Sequence, residues 1–307
     1  MTDTSGKPTH SWRWLRRRFQ FRLMTLLVVI GVIGVCLGLW SHRSRKQQAA
    51  VAKVRELGGW VYYDFQSYDP TKGTHDPKAE SSVPKWLESW LPIDFVHDVV
   101  MVNMVYSNDN GRREDNAHET DEALTHLESF PRLRGLYLQG GQASDEGLRH
   151  VGRLRRLECL LIWRATGVTD VGVAHLVNMH SLTTLAIMRG QIGDGSLKVA
   201  AKLPRLRSLC VYENRISDQG LAYLVGNTSI TSLNVNVSKA NITDAGMKYV
   251  ATMTQLDDLW LQRSEVTRQG LAQLKGLTNL KTIWLDENLS KEPGELKRAL
   301  PKCKFCY

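Results

Sequence analysis

From residue 133 onward, apolar residues return in a fixed phrase, L-x-x-L-x-L, in which Ile or Val can stand for Leu. The phrase falls at Leu133/Leu136/Leu138, Leu157/Leu160/Ile162, Leu182/Leu185/Ile187, Leu206/Leu209/Val211, Ile230/Leu233/Val235, Leu256/Leu259/Leu261 and Leu280/Ile283/Leu285. The first members are 24, 25, 24, 24, 26 and 24 residues apart. A worn copy at Val99/Val102/Met104 fits if the polar stretch 108–118 is an insertion, which makes about eight units. The L-x-L half has period two and predicts a strand with its leucines inward and the residues between them outward.

A second phrase follows each first one, as in Ser144-Asp145-Glu146-Gly147-Leu148, Thr169-Asp170-Val171-Gly172-Val173, Ser217-Asp218-Gln219-Gly220-Leu221 and Thr243-Asp244-Ala245-Gly246-Met247. Its apolar positions, such as Leu221 and Leu224, have helical spacing. Ser or Thr is expected to cap the helix, Asp to face the positive end of its dipole, and Gly to permit the tight turn into it. A strand and a helix this short cannot bury their own apolar stripes. Stacked side by side they share one core, with a parallel sheet along the inner face of an arc.

The outward strand residues then fall into two columns. One is Asn103, Tyr137, Leu161, Ala186, Cys210, Asn234, Trp260 and Trp284; the next is Val105, Gln139, Trp163, Met188, Tyr212, Asn236, Gln262 and Asp286. Arg164, Arg189, Glu213, Arg263 and Glu287 follow as a charged rim. Tyr and Trp offer large contact area at small entropic cost, so Tyr137, Leu161, Trp163, Met188, Tyr212, Trp260 and Trp284 are the candidate partner-binding residues.

The amino-terminal part has a different pattern. Residues 23–41, LMTLLVVIGVIGVCLGLWS, carry no formal charge and can just span a hydrocarbon core about 30 Å thick. Arg16, Arg17, Arg18 and Arg22 crowd one end and Trp40 marks the other. The residues after the run lack a small-x-small cleavage pattern, so an uncleaved anchor is expected, with the amino terminus cytoplasmic and the repeats across the membrane. The chain thus divides into a basic segment 1–22, a transmembrane helix 23–41, a small α/β cap 42–98 and a repeat domain 99–307. In the cap, 49–57 reads as a helix stopped by Gly58-Gly59, 60–65 as a strand and 84–91 as a short helix. At the far end, residues 295–301 close the last unit, with Cys303 and Phe305 inward.

Charge changes this picture little. The net charge is +9, but 11 of the 40 basic residues and only 1 of the 31 acidic ones lie in residues 1–55, which leaves 29 and 30 beyond. The excess flanks the apolar run, so no nucleic-acid partner is expected. Five cysteines, one of them in the span, exclude a disulfide scaffold, and Cys303-x-x-Cys306 sits at a chain end outside any redox context. His126, His150 and His175 recur five residues after Asp121, Asp145 and Asp170, yet neighbouring helices stand too far apart for one zinc ion. The stacked Asp positions are single and lack the clustered oxygens of a calcium site. No phosphate loop, nucleophile elbow or paired-carboxylate motif is found, so neither catalytic residues, metal nor cofactor is expected.

The period and the L-x-x-L-x-L phrase resemble the leucine-rich-repeat superfamily, and the T-D-x-G-L phrase its ribonuclease-inhibitor and F-box-associated branch. RRRFQFRLMTLLVV, VRELGGWVYYD, repeated ITDAGL and a closing ALPKC make the whole chain similar to bacterial membrane-anchored leucine-rich-repeat proteins. The resemblance implies an α/β leucine-rich-repeat solenoid, a right-handed βα arc behind a transmembrane helix and a small cap. The resulting expectation is a non-catalytic, membrane-anchored module that grips a protein or peptide on its concave face. The alternatives are a purely structural envelope protein, or a cytoplasm-facing adaptor like the F-box repeat proteins.

Overall fold

The computed structural model describes residues 10–66, 79–81, 83–105, 117–139, 143–236, 241–291 and 293–307. The chain opens with a 47-residue helix α1 (His10–Glu56), followed by β1 (Trp60–Tyr63) and the single turns α2 (Lys85–Glu88) and α3 (Ile93–Val96). Strand and helix then alternate: β2 (Val99–Val105), α4 (Ala117–His126), β3 (Gly135–Gln139), α5 (Asp145–Val151), β4 (Cys159–Trp163), α6 (Asp170–Ala174), β5 (Thr184–Met188) and α7 (Asp194–Ala200). The series continues through β6 (Ser208–Cys210), α8 (Asp218–Ala222), β7 (Ser232–Asn234), α9 (Asp244–Val250), β8 (Asp258–Trp260), α10 (Arg268–Gln273) and β9 (Thr282–Trp284). It closes with α11 (Glu287–Lys291), α12 (Glu295–Ala299) and β10 (Lys304–Cys306). Most of the predicted insertion 108–118 lies outside the described residues, and Ala117 and His118 already belong to α4.

All ten strands form one sheet in chain order, β1 through β10. From β2 to β10 every pairing is parallel, and the expected inward positions are in register: Leu136, Leu160, Leu185, Leu209, Leu233, Leu259 and Ile283. These side chains are buried together with the helix residues Leu148, Val173, Leu197, Leu221, Met247 and Leu271 in a single core that runs the length of the molecule. The architecture is that of a leucine-rich-repeat solenoid, a strand on one face and a helix on the other in each unit.

Three features depart from the sequence expectation or go beyond it. The first is that the apolar run and the cap helix are one helix. Residues 42–48 contain neither Gly nor Pro, so nothing interrupts α1 between the apolar run and the cap. Its last turns bury Ala50, Val51 and Val54 in the core of the first repeat, and Ser44 and Gln47, one to two turns earlier, against Asp94 and His97 of the cap. Gly58, at φ 77°, ends the helix as expected, and Gly59 N–H returns to Val54 O at 2.8 Å.

The second goes beyond that expectation, which gave β1 no direction: β1 pairs antiparallel to β2. The third concerns the recurring Asp and Gly. Each Ser or Thr does cap its own helix: Thr169 Oγ1 accepts Val171 N–H at 3.2 Å and Ser217 Oγ accepts Gln219 N–H at 3.2 Å. Each Asp carboxylate, however, reaches forward into the next unit. Asp145 accepts the N–H and hydroxyl of Thr169 at 2.8 and 2.7 Å and Gly172 N–H at 2.9 Å. Asp194 binds Ser217 at 2.8 and 2.6 Å in the same way, Asp218 binds Thr243 at 2.9 and 2.6 Å, and Asp244 binds Thr267 at 2.7 and 2.5 Å. The glycine exists for this contact rather than for a turn. A Cβ on Gly172, Gly220, Gly246 or Gly270 would stand 2.3, 2.3, 2.2 or 2.1 Å from an oxygen of the preceding Asp.

Candidate functional site: the open face of the sheet

The ladder register aligns Asn103, Tyr137, Leu161, Ala186, Cys210, Asn234, Trp260 and Trp284 as direct neighbours on successive strands. With strands about 4.8 Å apart, this column is about 35 Å long. Tyr137, Leu161, Trp163, Met188, Tyr212, Trp260 and Trp284 are all half-buried; none of them enters the core. Ala186 is the one buried member of its column, and Cys210 is half-buried within it. The sequence reading missed one member. Trp60 pairs with Asn103 and is 65% exposed, which carries the aromatic column onto β1. The period-two segment Trp60-Val61-Tyr62-Tyr63 signalled the strand, but not its direction or its place beside β2.

The side chains do not stand singly. Trp260 and Trp284 stack with centroids 6.2 Å apart and planes at 4°. Trp163 and Tyr212 lie 6.3 Å apart at 19°, and the Arg189 guanidinium sits over both rings, 5.1 Å from Trp163 and 5.8 Å from Tyr212. Glu213 knits the cluster: it accepts the Tyr212 hydroxyl at 2.6 Å and pairs with Arg189 at 2.7 Å and Arg263 at 2.6 Å. The Tyr212 hydrogen bond, followed by the two guanidinium groups, holds its carboxyl below the ordinary carboxylate range, so it stays ionised at neutral pH.

The backbone at this rim is strained. Arg164, Arg189, Glu213 and Arg263 have φ of 58°, 53°, 52° and 60°, the left-handed region where glycine is cheapest. Four charged residues held there cost on the order of 1 kcal/mol each or more, and in return the charges lie beside the aromatic column.

Other candidate chemistry does not assemble. His126 and His175 are exposed, and His150 faces Glu146 at 3.7 Å; no group of three metal-ligating side chains occurs among the described residues. Cys303 and Cys306 are both free thiols; Cys303 packs into the terminal core, and burial pushes its thiol up to about 11. One grouping escaped the sequence reading. Ser81 Oγ lies 2.7 Å from His97 Nε2, and His97 Nδ1 lies 2.8 Å from Asp64 Oδ1, the order of a nucleophile, base and orienting acid. Val83 N–H, however, points at Ser81 Oγ itself at 3.0 Å rather than toward a developing oxyanion, and the His97 carbonyl accepts Gln47 of α1 at 2.7 Å. These bonds tie Ser81 and Val83 to His97 and so to the cap.

No protein-family model and no curated protein matches the chain. Among solved structures it is similar to internalin C2 from Listeria monocytogenes, at 21% identity and a TM-score of 0.43. The match covers 53% of this chain and spans 65% of that structure's chain. The fold class therefore rests on the repeat and the sheet described above: this is a leucine-rich-repeat solenoid.

Proposed function

We propose that the protein is a membrane-anchored, non-catalytic interaction module that binds a protein or peptide across the open face of the sheet. Solenoids of this kind use their extended concave face for binding. The observation that carries the reading is the Trp163–Arg189–Tyr212–Glu213–Arg263 cluster, whose aromatic and charged groups are half exposed yet already oriented by ion pairs and stacking. Such preorganisation lowers the entropy lost on binding. The anchor reading rests on α1, whose residues 24–40 have no burial in the body and whose apolar window has a mean hydropathy of 2.3. The test is crosslinked recovery of partners by the full chain and by a variant with Trp163, Tyr212, Trp260 and Trp284 changed to Ala. Loss of specific partners from the variant, with an unchanged melting transition, is expected; identical recovery by both chains sinks the reading.

A further inference from the structure

The cap carries large apolar side chains that neither the core nor the concave face uses. Trp86 is 68% exposed, Trp90 84% and Ile93 40%. Trp86 and Trp90 are four residues apart on the turn that begins with α2, so they share a face. Ile93 opens α3, whose position is fixed. Phe95 meets Trp40 edge to face with centroids 5.4 Å apart, and Asp94 takes hydrogen bonds from Ser44 and, at 3.1 Å, from Gln47. Trp40 is the residue that closes the uncovered apolar run of α1. The turn α3 therefore lies against α1 at the level where the apolar run gives way to polar residues. Three chain steps separate Trp90 from Ile93, which limits their separation to about 11 Å. Basic groups follow Trp40 within two turns of α1: Arg45 and Lys46 are exposed, and Arg43, also exposed, pairs with Asp98 of the cap.

From this placement we propose that the Trp86–Ile93 face docks on the surface of the bilayer that α1 crosses, with the tryptophans at headgroup depth and the basic side chains on anionic phosphates. The inference rests on the anchor reading above and adds a second point of attachment. The occupant is a lipid surface rather than a protein because the face continues the apolar run at the height of Trp40. Trp at headgroup depth, with Lys and Arg beside it, is also the side-chain pairing that membrane interfaces favour. One continuous helix together with a docked cap would fix the tilt of the repeat arc relative to the membrane, which a single flexible span cannot do.

The full chain in nanodiscs of phosphatidylcholine and phosphatidylglycerol tests this by tryptophan emission, with bromine placed on the lipid chains close to the headgroup. The protein has nine tryptophans, so assignment comes from the difference between wild type and two variants, Trp86→Phe/Trp90→Phe and Trp40→Phe. Phenylalanine keeps the apolar face and removes the emission. Docking predicts that each variant loses part of the bromolipid-quenched emission, and that aqueous acrylamide reaches Trp86 and Trp90 poorly. If Trp40 is quenched by bromolipid while Trp86 and Trp90 are quenched only by acrylamide, the docked face is overturned and the anchor stands. If Trp40 is not quenched either, the anchor reading falls and the docking falls with it.

Discussion

At the scale of single residues, the most constrained position is the glycine that recurs three residues after each Ser or Thr cap. At Gly220 any side chain meets the Asp194 carboxylate, which at the same time holds Ser217. Gly220→Ala should therefore destabilise the fold by about 1–3 kcal/mol in urea unfolding, although alanine is the better helix former. The clash depends on Asp194, so Gly220→Ala combined with Asp194→Ala should cost less than the sum of the two single changes. Strict additivity would show that the glycine is needed for its own backbone. Cys303 offers a pH-dependent test. Its thiol is raised to about 11 by burial, so little thiolate forms at neutral pH, and alkylation followed by peptide mass spectrometry should stay slow until the pH approaches 11. The sign carries over to stability: the raised folded-state value means that thiol burial contributes fully below the ordinary cysteine range and is lost as pH rises toward 11. Rapid modification of Cys303 in the folded protein at pH 7 would contradict this packing.

At the scale of elements, what could be read in the sequence followed the range of the interaction that sets each feature. The strands and their register were legible because L-x-L states both the period and the buried face, and Leu136 through Ile283 align as that pattern requires. The Ser and Thr caps were legible for the same reason, since donor and acceptor lie two residues apart. The partner of each Asp was not, because it lies 23 to 25 residues away in the next unit and depends on the spacing between stacked helices. The first column of the open face was also written in the sequence, and the second from Val105 to Met188; beyond Met188 the strands end before the second column, and Asn236, read as outward, is buried. Trp60 was missed because a period-two pattern states neither the direction of a strand nor its neighbour. The joining of apolar run and cap in α1 follows from the absence of a breaker between them, and it makes the end of α1 a structural part of the first repeat. Val54 is fully buried there. Val54→Asp places an uncompensated charge in that contact and should cost about 3 kcal/mol or more, with hydrogen exchange rising first in residues 50–57 and β1. An equal loss of protection along the whole solenoid would mean that the cap and the arc unfold as one unit.

At the scale of the whole molecule, the apolar stretch of α1 and the open face of the sheet belong to one rigid description, because the helix that leaves the uncovered run is the helix that seals the first repeat. On the proposed anchor and binding readings, a partner of the open face is met at a fixed distance from the end of the apolar run, and charge sets the side on which this happens. Arg16, Arg17, Arg18 and Arg22 lie within seven residues on one flank, denser than the five basic residues spread over 43–55 on the other. The denser flank is expected to stay in the cytoplasm. Protease added to intact cells whose outer barrier has been opened should then remove the repeat domain while an epitope ahead of residue 10 survives. If the epitope is lost and the arc persists, the orientation is reversed and the concave face meets cytoplasmic partners. The outcome selects between the two compartments without disturbing the fold, since both orientations leave the sheet, the Asp ladder and the cap contacts unchanged.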